Sequence, residues 1–306
     1  MAEKQEKAVA RYEAAAAYLP SRLRKLALLL PEEEKKRAEE FRLRVGQPMT
    51  VLLPEGELTL EGIVNPEELE TLCNLATEFS RYAAVETMRE GYLPVRGGFR
   101  IGLCGTAVMK DGINTNLKDL SSAVIRIARE QRGIAEPLVS RLFRDGKFAS
   151  TLILSPPGGG KTTLLRDMVR CLSDGAPERE AKRVSLIDER GEVAVVYRGE
   201  PQMDVGMHTD VLDACPKALG IPIVLRAMNP QIIALDEITV REDLKAVAMA
   251  SGCGVRLLAT IHAADVAELL QKPLYASLLE DRVFRLAVRI TRTETGRAYE
   301  VEELPC

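Results

Sequence analysis

One stretch decides the fold of this chain: Ser155-Pro156-Pro157-Gly158-Gly159-Gly160-Lys161-Thr162-Thr163. The apolar run Thr151-Leu152-Ile153-Leu154 precedes it, and the pattern of a helix follows it from Leu164 to Arg170. A strand, a glycine-rich loop and a helix in this order predict a phosphate-binding loop. Glycines let successive backbone N–H groups turn toward an anion, and the helix N-terminus adds partial positive charge.

The residues of this loop have separate expected roles. Lys161 is expected to reach the β- and γ-phosphates of ATP, and Thr162 to offer its hydroxyl to Mg²⁺. Ser155 stands where the pattern G-x-x-x-x-G-K-[ST] has its first glycine, while the three glycines before the lysine are intact. The alternative is a glycine-rich turn that binds nothing, and the flanking elements argue against it. The expected nucleotide-binding residues are Pro157, Gly158, Gly159, Gly160, Lys161, Thr162 and Thr163.

The length of 306 residues allows two ordinary domains. Residues 1–133 mix helical and strand patterns and predict an α+β domain, and residues 134–150 predict a connecting segment with a helix over 138–144. From Thr151 onward, buried-strand patterns alternate with helical ones, which predicts a mostly parallel sheet with helices on both faces. Together with the phosphate-binding loop, this pattern predicts the RecA/AAA-like core of a P-loop NTPase. The predicted strands are Thr151–Leu154, Val184–Ile187, Ile232–Leu235, Arg256–Thr260 and Leu286–Ile290.

Composition narrows the classes of partner. Lys and Arg number 42 against 45 Asp and Glu, aromatic residues are 4% and tryptophan is missing, which argues against a nucleic-acid groove. The six cysteines form no C-x-x-C pair and the two histidines lie far apart, so neither a disulfide framework nor a zinc site is expected. The sequence shows no secretory signal and no membrane-spanning apolar run. We therefore expect a cytoplasmic protein whose membrane contact, if any, is peripheral or through a partner.

A second motif follows the predicted strand Ile232–Leu235. Asp236 and Glu237 come directly after it, as in a Walker B segment. Asp236 is expected to hold Mg²⁺, usually through water, and Glu237 to act as the general base or to position the attacking water. The alternative is two acids that end a strand by chance, and the upstream phosphate loop makes that the weaker interpretation.

Two further motifs occur at strand ends. Asp188-Glu189-Arg190 follows Val184–Ile187, and Thr260-Ile261-His262 ends the strand that begins at Arg256. Because open α/β sheets bind ligands at the carboxyl ends of their strands, all four motifs are expected to meet. A surface turn is the alternative for the first of these, and an ordinary structural histidine is the alternative for His262. We also expect another strand to separate the phosphate loop from Asp236 in the sheet.

Phosphoryl transfer also needs positive charge beyond Lys161, commonly an arginine from a neighbouring subunit. Four arginines in or beside strand patterns of the first domain are candidates to supply it, although a surface charge is the commoner role for any one of them. They are Arg96, Arg100, Arg126 and Arg129.

Six segments of the sequence resemble the secretion-ATPase superfamily, which is related to the type II and type IV pilus motors, and within it the AA family of stage III sporulation proteins. They are Val95–Gly105, Ile125–Glu130, Ser155–Thr163, Leu186–Glu192 and Ala234–Glu237 with Ala259–Ala263. The resemblance places Asp188 and Glu189 in the superfamily's Asp box and His262 in its His box. It implies catalytic roles for Glu189, His262 and arginines such as Arg126 and Arg129, and a role for Asp188 at the metal.

The same resemblance implies a homo-hexameric ring with ATP bound between subunits. It further implies a cytoplasmic motor at the mother-cell side of the forespore membrane that energises a membrane-embedded, secretion-like channel during endospore formation. Two other classes stay open at this point: a nucleic-acid-dependent ATPase of RecA or helicase type, and a nucleotide-gated scaffold with little turnover.

Overall fold

The structure is a computed structural model that describes residues 2–78, 85–127, 131–293 and 296–305. It divides into two compact units. Unit 1 comprises Met1–Arg129 together with Tyr197–Gln202, and unit 2 comprises Glu130–Val196 and Met203–Cys306. No local sequence pattern predicts that Tyr197–Gln202 belongs to the first unit.

Unit 1 combines helices with an antiparallel sheet. Its described helices are α1 (Ala2–Ala16), α2 (Ser21–Leu28), α3 (Glu32–Arg37), α4 (Pro66–Ala76) and α5 (Val85–Arg89). Its strands are β1 (Glu40–Arg44), β2 (Pro48–Leu53), β3 (Gly56–Ile63), β4 (Tyr92–Val95), β5 (Phe99–Lys110) and β6 (Ile113–Arg126). The described strands form one sheet in the order β3-β2-β1-β6-β5-β4, and every neighbouring pair is antiparallel.

Local sequence explains the elements of unit 1. Asn65 begins α4 with a capping box: its side chain accepts a hydrogen bond from the Glu68 N–H at 2.9 Å, and the Glu68 carboxylate accepts one from the Asn65 N–H at 3.1 Å. Phe41 on β1 packs in the core beside Tyr12 of α1, with ring centroids 4.9 Å apart. The alternating pattern of Phe41–Val45, the turn Gly46-Gln47-Pro48 and the apolar run Met49–Leu53 predict a hairpin, and β1 and β2 form it. The sequence shows two separate strand-like runs over 99–103 and 107–109, and in the structure they belong to one continuous strand, β5.

Unit 2 carries the glycine-rich loop. Its helices are α6 (Glu136–Val139), α7 (Lys161–Asp174), α8 (Lys217–Ala227), α9 (Arg241–Gly252), α10 (Val266–Leu270) and α11 (Ala276–Glu280), with 3-10 turns at Ser140–Leu142 and Pro273–Tyr275. Its long strands are β9 (Thr151–Leu154), β10 (Val184–Asp188), β13 (Thr209–Asp213), β14 (Ile232–Leu235), β15 (Arg256–Ile261), β16 (Leu286–Thr293) and β17 (Gly296–Glu303). Unit 2 also has the short hairpin strands β7 (Phe143–Arg144) and β8 (Lys147–Phe148). A second short hairpin pairs β11 (Val196–Tyr197), which crosses from unit 2 into the Tyr197–Gln202 segment of unit 1, with β12 (Glu200–Pro201) in that segment.

The large sheet of unit 2 has the order β13-β10-β14-β15-β9-β16-β17 over the described strands, and all neighbouring pairs are parallel except β16 with β17. Hydrophobic side chains cover both faces. Ile153 packs on one face with Met168 of α7, whereas Leu152 and Leu154 pack on the other with Val247 of α9. Burial on both faces explains why these strands are continuous apolar runs. The prediction of a mostly parallel, doubly covered sheet is confirmed.

The order of the strands places the motifs. β15 lies between β9, which leads into the glycine-rich loop, and β14, which leads into Asp236. The expectation that another strand separates these two motifs is therefore confirmed. The helix predicted over 138–144 is wrong at its end, because Phe143 and Arg144 pair with β8 in a hairpin. Among the residues that the structure describes, no helix combines the length and apolarity needed to cross a membrane.

Candidate functional site

The glycine-rich loop of unit 2 needs its three glycines for two reasons, backbone conformation and space. Gly158 and Gly160 have φ of 71° and 100°, the left-handed region that favours glycine. A Cβ on Gly159 would lie 1.6 Å from Oγ of Ser155, so the serine that replaces the pattern's first glycine occupies the space a side chain would need. Gly160 caps α7, whose first-turn N–H groups have no acceptor within the helix. The loop therefore presents main-chain donors that suit an anion.

Lys161 lies at the centre of the site with 7% of its surface exposed. Its Nζ donates to the carbonyl oxygens of Ser155 at 2.9 Å and Pro156 at 3.2 Å, and approaches Nδ1 of His262 at 2.7 Å. An ammonium has three donors, and these three contacts use all of them. Burial lowers the pKa of Lys161, and the charges of nearby acids, Glu237 foremost, oppose that shift. A phosphate oxygen would have to replace one of the present acceptors.

The protonation of His262 follows from its contact with Lys161. Because an ammonium can only donate, Nδ1 accepts the lysine's hydrogen bond and the ring proton lies on Nε2. Nε2 lies 2.8 Å from Oε1 of Glu237, to which it therefore donates. The other oxygen of Glu237 pairs with Nη1 of Arg190 at 3.1 Å. Lys161, His262, Glu237 and Arg190 thus form one hydrogen-bonded series.

Glu237 has an unusual backbone conformation. Its φ is 51°, in the left-handed region that costs a non-glycine residue on the order of 1 kcal/mol. Its N–H donates to Oγ1 of Thr260 at 2.7 Å, which holds the main chain in place. Strain of this kind persists only where surrounding contacts fix it, and it concentrates at functional sites.

Asp236 connects two hydroxyl groups. Its Oδ2 accepts from Thr162 at 3.0 Å, and its Oδ1 accepts from the buried Thr260 at 2.7 Å. The structure therefore brings together Thr162 and Asp236, the two residues expected to serve Mg²⁺ from the loop and the second motif. A hydroxyl and a carboxylate are the hard oxygen ligands that Mg²⁺ prefers, so the donor set fits this ion.

The third motif has a different arrangement. Asp188 is fully buried, and its carboxylate accepts from the N–H groups of Glu192, Val193 and Ala194 at 2.9, 3.0 and 2.8 Å. Burial raises the pKa of Asp188, and these backbone bonds oppose the shift. Asp188 thus orders the turn after β10, and its expected role at the metal stays a prediction.

Glu189, next to it, forms an ion pair with Lys217, the buried first residue of α8. Lys217 could not be identified from the sequence, because a lone lysine before a helical pattern carries no signal of its own. The catalytic role expected for Glu189 also stays a prediction.

The arginines expected to act from the first domain lie in unit 1 or outside the described residues. Arg126 ends β6 and pairs with Glu40 at 3.5 Å while most of its side chain stays exposed. Arg100 lies on β5 with its guanidinium carbon 3.9 Å from the centre of the Tyr92 ring. Arg129 lies outside the described residues.

The model of the family described as "Sporulation stage III, protein AA" matches residues 9–301. The chain belongs to this family. It is 34% identical over 276 residues to Stage III sporulation protein AA of Bacillus subtilis, and the match covers 90% of each chain. It is also 26% identical over 191 residues to the ycf45 protein of Cyanidium caldarium, covering 59% of this chain and 52% of that one.

Two solved structures share the fold of this family member. The pilus retraction motor PilT, solved with bound ADP, superposes with a TM-score of 0.61 at 16% identity over 88% of this chain and 80% of that one. The ATPase DotB of Yersinia pseudotuberculosis gives 0.59 at 15% identity over 88% of this chain and 76% of that one. The fold predicted from the sequence, a P-loop ATPase core preceded by a smaller α+β domain, is thereby confirmed.

Proposed function

We propose that this protein is a Mg²⁺-dependent ATPase. One observation carries the proposal: the loop lysine Lys161, the histidine His262 and the acid Glu237 are joined by hydrogen bonds at neighbouring strand ends. Three groups of these types from three separate segments are what ATP hydrolysis needs in one place. The family membership and the shared ATPase fold support this proposal.

In this proposal the residues of the chain divide the work. The main-chain donors of Gly158–Thr163 and the ammonium of Lys161 bind the phosphates. Glu237 orients the attacking water and accepts its proton, and His262 and Arg190 hold the two carboxylate oxygens in position. Thr162 and Asp236 would hold Mg²⁺, which when bound would neutralise charge on the transferring phosphoryl group.

We further propose that the ATPase works as an oligomeric motor, a hexameric ring on the cytoplasmic, mother-cell side of the forespore membrane. There it would energise a membrane-embedded, secretion-like channel during endospore formation. Its sporulation family and a fold shared with a pilus retraction motor support this role. Arg126 or Arg129 from a neighbouring subunit would complete the site, as the resemblance to secretion ATPases implies.

The first experiment measures ATP hydrolysis and ATP binding by the purified chain at saturating Mg²⁺. Glu237→Gln is expected to lower kcat about 100- to 1,000-fold while ATP affinity stays within about threefold, because water activation is lost and the phosphate contacts remain. Lys161→Ala is expected to lose both ATP hydrolysis and ATP binding. Glu242→Gln, an exposed acid in the first turn of α9, is the matched control and should hydrolyse normally. Unchanged hydrolysis in both Glu237→Gln and Lys161→Ala would show that the site is elsewhere.

A second experiment measures the mass of the particle in solution with and without a non-hydrolysable ATP analogue. The motor proposal expects a ring-sized species that the analogue stabilises. A monomer under both conditions would contradict the ring while leaving the ATPase assignment to the first experiment.

A further inference from the structure

Two arginines from the C-terminal hairpin lie on the glycine-rich loop. Nη2 of Arg292, on β16, donates to the carbonyl oxygen of Gly158 at 3.3 Å. The guanidinium carbon and Nε of Arg297, on β17, lie 3.0 Å from where a Cβ would stand on Gly160. Gly160 therefore has two reasons to be glycine: its backbone is left-handed, and a side chain would collide with the Arg297 guanidinium group. Both arginines belong to the same unit of the chain as the loop that they contact.

The pairing of these arginines is unfavourable by itself. Arg292 and Arg297 are directly opposite each other in the register of β16 and β17. Like charges directly opposite across an antiparallel pair destabilise it. Within the described ranges, neither guanidinium lies within 4.0 Å of a carboxylate, whereas Arg289 on the same strand pairs with both Glu300 and Glu302. Arg292 instead donates a hydrogen bond to a neutral carbonyl of the loop.

An anion on the loop would relieve this repulsion. A guanidinium binds phosphate oxygens through two parallel N–H donors, and two of them at the edge of a main-chain anion cradle match a chain of linked phosphates. On the basis of the proposed function, we infer that Arg292 and Arg297 bind the di- or triphosphate chain of the nucleotide held by the loop of the same subunit. The hairpin of β16 and β17 is then part of the nucleotide site, in addition to any arginine from a neighbouring subunit.

The test replaces each arginine by glutamine in the full-length chain and measures two affinities. A fluorescent ADP analogue reports nucleotide binding, and inorganic tripolyphosphate competes with it as a probe without base or sugar. Each variant is expected to weaken the affinities for the ADP analogue and for tripolyphosphate about 5- to 20-fold, because it loses one partly exposed charged hydrogen bond. Arg292→Lys and Arg297→Lys should recover part of each loss, because they keep the charge and lose the two-pronged geometry. Arg289→Gln, on the same strand with its charge already paired, should bind within about twofold of the unmodified chain.

The outcomes separate the two proposals. If the unmodified chain binds the ADP analogue, Lys161→Ala abolishes binding and both glutamine variants bind normally, the role of the arginines is wrong and the nucleotide site stands. If the unmodified chain binds neither ADP nor tripolyphosphate, both proposals fail. If the glutamine variants bind ADP more weakly but bind tripolyphosphate normally, the arginines contact the base or the sugar, which overturns the phosphate assignment. A thermal unfolding curve for each variant shows whether it is folded. The lysine variants provide a second pair in which the charge is kept, so a loss of binding can be distinguished from misfolding.

Discussion

Nζ of Lys161 lies 2.7 Å from Nδ1 of His262, so the lysine of the glycine-rich loop and a histidine from the end of β15 share a hydrogen bond. The same imidazole donates to Glu237 through its other nitrogen. A phosphate that engages Lys161 in place of His262 would therefore change how the acid is held. The geometry couples occupancy of the loop to the position of the proposed general base.

Replacing His262 by alanine tests this coupling. We expect kcat for ATP hydrolysis to fall about 10- to 100-fold, because Glu237 loses a partner that positions it, while ATP affinity changes less than about threefold. Steady-state hydrolysis and equilibrium binding measure the two effects. His208→Ala is the control, since the chain's other histidine bonds through Nδ1 to the Ser173 carbonyl. A loss of affinity as large as the loss of kcat would contradict a positioning role.

Gly159 and Ser155 make a second, independent test. Gly159→Ala places a methyl group where Oγ of Ser155 now lies, and we expect it to reduce nucleotide affinity at least tenfold by displacing the loop. Ser155→Gly alone should bind nearly normally, because it restores the common loop pattern. The double variant should bind better than Gly159→Ala alone, and a double-mutant cycle measures the coupling. Additive losses would show that Ser155 does not limit the space at Gly159.

The central strands and the first site residues could be predicted because their signals are local. A strand buried on both faces is a continuous apolar run, and ligands bind at the carboxyl ends of parallel strands. Asp236, Glu237 and His262 lie at the ends of such runs. The rule that ligands bind at the carboxyl ends of parallel strands therefore predicts that these residues are close together.

The remaining features depend on long-range contacts that leave no local pattern. The edge strand β13 is only partly buried, so it lacks the apolar run that marks its neighbours. Arg292 and Arg297 lie opposite each other on β16 and β17. In the sequence, each is one charged residue in the alternating pattern of a solvent-exposed strand, and nothing in that pattern predicts a contact with the loop. The three backbone N–H groups that donate to Asp188 reach it only in the folded turn after β10. From the sequence alone, an acid at a strand end is as consistent with a metal ligand as with a residue that orders a turn.

Thr260 links the two acids of the site, and its replacement by valine should affect both stability and hydrolysis. The variant leaves the Glu237 N–H without its acceptor and removes a donor from Asp236, which should cost about 1–3 kcal/mol in the free energy of unfolding. We also expect kcat to fall at least about tenfold. Thr151→Val is the control, because that buried hydroxyl donates to the Ala149 carbonyl away from the site. Urea unfolding and steady-state hydrolysis provide the readouts, and equal kcat losses in the two variants would refute the link.

Asp188→Asn separates the two roles considered for that residue. If the carboxylate orders the turn, the variant should lose about 1–3 kcal/mol of unfolding free energy, and the Mg²⁺ concentration for half-maximal hydrolysis should not change. Asp236→Asn should instead raise that Mg²⁺ concentration about tenfold or more, because it changes a proposed oxygen ligand. A raised Mg²⁺ requirement in Asp188→Asn would support the metal role predicted from the sequence.

Asp213 predicts a specific pH dependence of stability. It lies opposite Asp188 in the register of β10 and β13, and burial together with the Asp188 charge raises its pKa from 3.8 to about 6. The folded chain therefore binds more protons than the unfolded chain between these values, so this group's contribution to stability falls as pH rises from about 4 to about 6. Asp213→Asn cannot lose that proton, and its stability relative to the unmodified chain should increase across the same window by about 1 kcal/mol or less, since the group is partly exposed. Urea unfolding at several pH values between 4.5 and 7.5 measures the difference, and a difference that does not change with pH would contradict the raised pKa.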